Sequence, residues 1–257
     1  MAAGKKPTTV GLMAEPWLNP AWRPPMNVRA TVIMVHGAIV DGYETGLLRR
    51  RLRQLGYHTR LFQYRSMMRG LDFNVARLAK FIQETEGDIV HVIGHSMGGV
   101  LTRQVFEQTP DPRPGRLLAI ASPLLDCWVA RRYEKLHPRV GPTLIGQTVQ
   151  DHITHLPGKV WRGDRNFGVI AGTYPFGVGR FFPSLPKPND GVVLLHETQM
   201  EGIADHVTYR INHFGLLLSK RCTAQAACFL ATGAFEHKHH PEPAGVSADP
   251  LTGPDSR

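Results

Sequence analysis

The sequence has 257 residues, 42% of them hydrophobic, and a formal net charge of +9. This length suits one globular domain with a packed core. The composition excludes a low-complexity chain and a small fold held together by disulfides. The odd count of three cysteines (Cys127, Cys222, Cys228) fits buried thiols. The first thirty residues contain no apolar run that would serve as an export signal or a membrane span, so we predict a cytoplasmic protein; nothing in the sequence indicates membrane association.

The positive charge does not by itself predict a nucleic-acid partner. Four arginines form the densest basic run: Arg49, Arg50, Arg51 and Arg53. Leu48, Leu52 and Leu55 lie between and beside them at helical spacing, which predicts that the arginines are the solvated side of an amphipathic helix. We therefore expect no nucleic-acid partner.

Predicted strands and helices alternate along the chain. The strands are expected at residues 31–35, 58–62, 89–93, 116–120 and 167–171, and the helices at 44–55, 72–84 and 97–108. The strands at 31–35 and 89–93 are apolar on both faces, which is typical of the interior of a parallel sheet. This order predicts βαβ units and an α/β fold with one mostly parallel central sheet flanked by helices.

Residues 122–165 interrupt that alternation. They combine prolines with apolar side chains such as Leu124, Leu125, Trp128 and Trp161, without helical or strand periodicity. An insertion of this length in a compact domain is often functional, so we predict a lid insertion that presents these side chains to a substrate. The alternative is an ordinary surface excursion.

The two ends are expected to lie outside the main domain, which we place at residues 29–235. Residues 1–28 are rich in Pro and Trp and predict an extended arm. Residues 236–257 are polar and prolyl and predict a disordered tail, whose histidines are expected to be solvated.

The most informative turn is Gly94-His95-Ser96-Met97-Gly98, which lies between a predicted buried strand and a predicted helix. A nucleophile on such a strained turn needs small residues two positions before and after it, because strand and helix pass close together there. The start of the helix also directs N–H groups and its positive end toward a developing oxyanion. The pattern therefore predicts Ser96 as a nucleophile; the alternative is a structural glycine turn with an idle serine.

This turn, together with Val35-His36-Gly37-Ala38, resembles the α/β-hydrolase superfamily, and within it the bacterial lipases and esterases. Residues 188–193 (Pro-Asn-Asp-Gly-Val-Val) and 211–214 (Ile-Asn-His-Phe) resemble the acid and histidine motifs of bacterial lipases. The resemblance covers roughly residues 30–230 and implies the α/β-hydrolase fold, with the catalytic partners in the order serine, acid, histidine.

Among the thirteen histidines, that order favours His213 as the general base. His36, His91 and His95 precede the acid in the sequence. His196 comes too soon after the apolar run 192–195, and His206 lies beside a further predicted strand end at Asp205. His213 lies in a loop before the helix-like stretch 214–219, and the lipase resemblance points to the same residue.

Asp190 is the predicted acid. It lies in a Pro-Asn-Asp-Gly turn just before the apolar run 192–195, where a loop at a strand end would project a carboxylate. Asp205 is the alternative acid. If it is not the acid, we expect it to be a solvated charge at a strand end. The family pattern further places the oxyanion donors at the backbone N–H groups of Ala38 and Met97.

We therefore expect a serine esterase or lipase that cleaves a small-molecule ester with an apolar acyl or alcohol part and needs no cofactor. Many related lipases carry an acidic calcium ligand two positions after the Asn-His pair, but Phe214 and Gly215 follow His213 here. We accordingly expect no structural calcium or other metal. An acyltransferase with the same triad and a non-enzymatic binding protein are the alternatives.

Overall fold

The computed structural model describes residues 19–155, 158–177 and 185–237. Most of the predicted arm and tail therefore lies outside the described residues, and so does part of the segment before residue 185. Of the arm, Pro20–Trp22 forms a short 3-10 turn, and Trp22 is buried with its carbonyl oxygen bonded to the Tyr57 hydroxyl. None of the helices in these ranges is both long and apolar enough to cross a membrane.

The centre of the fold is a six-stranded parallel sheet in the order β2-β1-β3-β4-β5-β6. Its strands are β1 Ala30–Val35, β2 His58–Phe62, β3 Ile89–His95, β4 Leu117–Ile120, β5 Phe167–Gly172 and β6 Asp205–Tyr209. The first five confirm the predicted strands. The four inner strands are almost entirely buried, as their apolar sequences require, whereas the edge strands are partly exposed.

Helices cover both faces of the sheet. They are α1 Gly46–Gln54, α2 Leu71–Gln83, α3 Met97–Gln108, α4 Trp128–Leu136, α5 Gly141–Ile145, α6 Gln147–Thr154, α7 Gly215–Leu218 and α8 Lys220–Thr232. One apolar cluster contains core residues of α2 to α6, and a second contains those of α1, α7 and α8. The layered α/β architecture is thus confirmed, and α1 buries Leu48 and Leu52 while Arg50 and Arg53 are exposed.

The segment 122–165 contains three helices, although its sequence shows no periodicity. Proline and glycine divide it into helices of 9, 5 and 8 residues, so no single helical repeat runs through the whole segment. Gly146, at φ 84°, separates α5 from α6 in a conformation that favours glycine.

The apolar run 192–195 does not continue as a strand. The backbone N–H groups of Val192 and Val193 donate to Asp190 Oδ1, and that of Leu194 donates to Glu197 Oε2. Because side-chain carboxyl oxygens take these donors, the donors are not available to a neighbouring strand, and the chain turns into a 3-10 helix at Leu195–Thr198.

The three cysteines are buried free thiols, as predicted. Burial raises the pKa of Cys127 and of Cys222 to about 12. These groups therefore remain neutral thiols near pH 7.

The register of the inner strands brings the loops that follow them together. Val35 of β1 is paired with Gly94 of β3, and His95 of β3 is paired with Ile120 of β4. The loop after β1 and the turn after β3 therefore leave the same edge of the sheet as neighbours, which is where open α/β sheets bind ligands.

Candidate active site

Ser96 lies on a sharp turn between β3 and α3. Its backbone angles are φ 52° and ψ −124°, a conformation that residues other than glycine rarely adopt. A Cβ atom on Gly94 would lie 2.4 Å from backbone atoms of Gly98, and one on Gly98 would lie 2.2 Å from the Val35 carbonyl oxygen. The two glycines are therefore required for strand, turn and helix to pass this closely, which explains the spacing seen in the sequence.

The loop after β1 packs directly against this turn. A Cβ atom on Gly37 would lie 3.2 Å from Ser96 Cβ, so Ala38 follows at the point of closest approach. Among the described residues, no acceptor pairs with the backbone N–H of Ala38 or with that of Met97 at the start of α3. Both donors are available for an oxyanion beside Ser96.

The structure brings His213 and Asp190 together. The distance from His213 Nδ1 to Asp190 Oδ2 is 2.8 Å, and the backbone N–H of His213 donates to the Asp190 carbonyl oxygen at 2.9 Å. The two residues are only 3% and 1% exposed. A carboxylate at Nδ1 leaves Nε2 as the basic nitrogen of a neutral ring.

The Asp190 carboxylate is held by its own loop. Its Oδ1 accepts hydrogen bonds from the backbone N–H groups of Val192 at 2.9 Å and Val193 at 2.7 Å. Gly172 ends β5 beneath this loop, and a Cβ atom there would lie 2.8 Å from Asp190 Cβ. The carboxylate is thus fixed in position and leaves Oδ2 for the imidazole.

The alternative acid, Asp205, serves another part of the fold. Its Oδ2 accepts from the backbone N–H of Phe235, and His237 Nε2 lies 2.8 Å from its Oδ1. These contacts tie the start of β6 to the segment after α8, and they leave Asp190 as the carboxylate at His213.

Ser96 and His213 line one cavity of about 450 Å³ together with Ala38 and Met97. This volume lies within the usual range of small-molecule sites. Half of the lining residues come from the segment 122–165, and none of these eight is charged: Pro123, Cys127, Val129, Ala130, Tyr133, Leu144, Ile145 and Val149. The site therefore joins polar groups on one wall to an apolar wall built by α4, α5 and α6.

The four apolar side chains predicted to face a substrate are not those that line the cavity. Leu124 is fully buried in the core, and Trp161 packs edge-on against Phe167 with its Nε1 bonded to the Arg165 carbonyl oxygen. Leu125 packs against the same core cluster, and Trp128 begins α4 outside the cavity wall. Leu124, Leu125 and Trp161 thus anchor the segment in the core, and other side chains of its helices form the wall.

Two further histidines lie beside the site in buried positions. The His95 ring lies 4.8 Å from that of His213 between centroids, and burial, aided by His213, lowers its pKa well below the usual value. Burial also lowers the pKa of His36. Neither ring is set up as a second base, because the first is sealed from solvent and the second is bonded at both nitrogens.

Glu197 is a buried group that the sequence analysis missed. Its Oε1 accepts from the backbone N–H of Trp128 at 2.5 Å and its Oε2 from that of Leu194 at 2.8 Å. It therefore joins the start of α4 to the loop that carries Asp190. Burial raises the pKa of Glu197 to about 8. In the sequence, the only sign that Glu197 is buried is the apolar run that precedes it in Leu-Leu-His-Glu.

The described residues contain no group of three or more His, Cys, Asp or Glu side chains placed to hold a metal ion.

Comparison with protein families identifies the fold. The model of the alpha/beta hydrolase family matches residues 32–233, which is most of the chain. This chain belongs to the α/β-hydrolase family. A comparison with curated proteins gives no match.

Several solved structures of this superfamily share the fold at low sequence identity. The mature lipase BlEst2 of Bacillus licheniformis has a TM-score of 0.62 and 15% identity, over 80% of this chain and 92% of the lipase. The metagenomic carboxyl esterase MGS0156 has a TM-score of 0.57 and 16% identity, over 74% and 68%. The RedJ thioesterase of Streptomyces coelicolor has a TM-score of 0.53 and 16% identity, over 86% and 94%. The α/β-hydrolase fold predicted from the sequence is confirmed.

Proposed function

We propose that this chain hydrolyses carboxylic esters through an acyl-enzyme on Ser96, with His213 as general base and Asp190 as the carboxylate that orients it. The observation that carries the proposal is that one cavity is lined both by Ser96, on a strained turn, and by His213, whose imidazole is bonded to the buried Asp190 carboxylate. A serine hydroxyl needs a base to act as a nucleophile, and this arrangement supplies one.

The first half-reaction forms the acyl-enzyme. His213 Nε2 takes the hydroxyl proton while Ser96 Oγ bonds to the carbonyl carbon, and the carbonyl oxygen becomes an oxyanion. The N–H groups of Ala38 and Met97 donate to that oxyanion, and the N-terminal end of α3 adds a favourable potential. When the tetrahedral intermediate collapses, the bond to the leaving oxygen breaks and His213 returns its proton to the alcohol.

The second half-reaction uses water in place of the serine. His213 takes a proton from water as the water oxygen bonds to the acyl carbon. When the second intermediate collapses, the bond from the acyl carbon to Ser96 Oγ breaks, His213 returns its proton to Ser96 Oγ, and the acid is released. Each step uses groups already present at the site, so the reaction as proposed uses no cofactor.

The cavity wall supports a small-molecule ester with an apolar acyl or alcohol part. Val129, Ala130 and Ile145 lie on this wall and offer no charge to a substrate. Structurally similar proteins include a lipase, a carboxyl esterase and a thioesterase, and their activities are consistent with an acyl compound as substrate.

A series of aryl esters of increasing acyl length tests the proposal. The protein should release one equivalent of free acid for each phenol, with a preference for acyl groups longer than acetyl. The same assay should include an alcohol acceptor, with free acid and transferred ester both quantified. Transfer product in excess of free acid would contradict hydrolysis as the main reaction, and no turnover of any ester would contradict the enzyme assignment.

A further inference from the structure

Ile39, the residue after the proposed donor Ala38, has a backbone conformation that its side chain disfavours. Its φ is 66°, in the left-handed region that β-branched residues rarely occupy. The side chain is 67% exposed, so its burial does not offset the strain. Contacts from elsewhere in the fold must hold the loop in this shape.

The segment after β2 supplies these contacts. Ser66 Oγ accepts from the backbone N–H of Ile39 at 3.1 Å, and Ser66 is only 4% exposed. The backbone N–H of Tyr64 donates to His36 Nε2 at 3.1 Å, which leaves the ring proton on Nδ1. That Nδ1 then donates to the Gly37 carbonyl oxygen at 2.7 Å.

Together these bonds fix the peptide planes on both sides of Ala38. The Gly37 carbonyl and the Ala38 N–H belong to one planar trans peptide and point in opposite directions, so the bond from His36 sets the direction of the donor. The next peptide carries the Ile39 N–H. Because Ser66 already holds that group, it does not compete with Ala38 for an oxyanion.

Ser66 is in turn held by the helices that form the cavity wall. The backbone N–H of Thr148 donates to the Ser66 carbonyl oxygen at 3.0 Å, and that of Gln147 donates to Met67 at 3.2 Å. A Cβ atom on Gly146 would lie 2.9 Å from backbone atoms of Ser66 and Met67. The start of α6 therefore packs closely on the residue that holds the loop.

We propose that Ser66 is a positioning residue of the oxyanion hole: its hydroxyl fixes the peptide after Ala38 and holds Ile39 in the left-handed conformation, and so keeps the loop in the shape in which His36 directs the Ala38 N–H toward the oxyanion. This inference rests on the proposed function. Ser66 is not among the residues that line the described cavity, so its loss should weaken binding of the transition state more than binding of the ester.

The test compares Ser66→Ala with Ser66→Thr, which keeps the hydroxyl, and with Thr31→Val as a matched control. Thr31 is 1% exposed, and its Oγ1 donates to the Glu86 carbonyl oxygen at 2.8 Å on β1, away from the carboxyl edge of the sheet. Each of the two removals deletes one buried hydroxyl hydrogen bond. The readouts are kcat and KM for an aryl ester, the inhibition constant of a trifluoromethyl ketone, and the melting temperature.

Loss of one oxyanion donor lowers kcat by about 100- to 1,000-fold, so a misaimed donor should lower it by about 10- to 100-fold with little change in KM. The inhibition constant of the ketone should rise by a similar factor, because its hemiketal oxygen occupies the same hole. Ser66→Thr should recover most of the kcat, and Thr31→Val should change only the melting temperature.

Unchanged inhibition by the ketone in Ser66→Ala would overturn the positioning role, as would an equal loss of kcat and inhibitor affinity in Thr31→Val. If the unmodified protein neither hydrolyses the ester nor binds the ketone, the proposed function fails and this inference fails with it. If the unmodified protein hydrolyses the ester and Ser66→Ala has the same kcat and the same inhibition constant, only the role of Ser66 is refuted and the proposed function stands.

Discussion

Backbone strain in this protein is concentrated where the inner strands end. Among the described residues, three that are not glycine have positive φ angles: Ile39, Ser96 and Ala121. They follow β1, β3 and β4, whose carboxyl ends adjoin in the sheet. Such conformations persist only where the surrounding structure holds them, and their clustering at one edge favours a functional role for that edge.

Replacing Asp190 by asparagine tests the proposed orienting carboxylate. The amide should preserve the fold but hold the imidazole in the wrong tautomer, so kcat should fall on the order of 10⁴-fold. The matched control is Asp205→Asn, because that carboxylate bonds to Phe235 and His237 and not to His213. If kcat instead falls with Asp205→Asn and survives Asp190→Asn, the acid is misassigned.

Glu197 should make stability depend on pH. Burial raises its pKa in the folded protein to about 8, whereas an unfolded glutamic acid has a pKa of about 4.3. The folded state therefore holds a proton that the unfolded chain releases between these values. The resulting stabilisation is complete below the lower value and is lost as the pH rises through the upper one.

We therefore predict that the melting temperature of Glu197→Gln falls less between about pH 6 and about pH 9 than that of the unmodified protein. Only the slope is compared, since the amide also disturbs one of the two backbone hydrogen bonds. Glu84→Gln is the control, because that side chain is 60% exposed. Parallel slopes for Glu197→Gln and the unmodified protein would show that Glu197 does not hold the extra proton.

At the scale of elements, the sequence predicted those parts whose pattern repeats over their own length. β1 and β3 are continuous apolar runs because both faces are buried, and α2 has its buried residues at helical spacing. β6, by contrast, is a partly exposed edge strand of polar composition, so no apolar pattern marks it. The fold was predictable from the burial that the inner strands require.

The candidate site was predictable only where a sequence motif is itself typical of a catalytic group. Ser96 is marked by flanking glycines that the close packing demands, and His213 and Asp190 are marked by motif and chain order. Ser66 and Glu197, by contrast, are distinguished by hydrogen bonds that they accept from the distant backbone N–H groups of Ile39 and Trp128, respectively. Such contacts depend on the tertiary fold and leave no local pattern in the sequence.

The helices α4 to α6 should determine which acyl lengths are accepted. Ala130 lies on α4, is 6% exposed and lines the cavity, so Ala130→Leu should shorten the available space. Each methylene that is no longer buried costs about 0.8 kcal/mol, or about fourfold in kcat/KM. We predict that kcat/KM of Ala130→Leu falls in this way for long-chain esters, while its kcat/KM for acetyl esters stays within a few fold of that of the unmodified protein.

The control for that experiment is Trp161→Ala, because Trp161 lies in the core and not on the cavity wall. It should lower the melting temperature and affect short and long esters alike. Equal losses on all chain lengths in Ala130→Leu as well would mean that α4 supports the fold without selecting the acyl group.

For the molecule as a whole, we predict that neither stability nor activity depends on calcium. Phe214 and Gly215 stand where many related lipases place an acidic ligand, and Phe214 packs edge-on against His213 with ring centroids 5.3 Å apart. The melting temperature and ester turnover should therefore be the same with a chelator as with added calcium. A loss in chelator that calcium restores would reveal a bound ion.

The nucleophile is the claim on which the proposed function depends, and a fluorophosphonate probe tests it directly. Such probes react readily with a serine that a base and an oxyanion hole activate, so peptide mapping should find the adduct on Ser96. Ser96→Ala should fold like the unmodified protein and take up no label, and Asp190→Asn should label far more slowly. Labelling that persists in Ser96→Ala, or its absence from the folded unmodified protein, would contradict the assignment of Ser96 as the nucleophile.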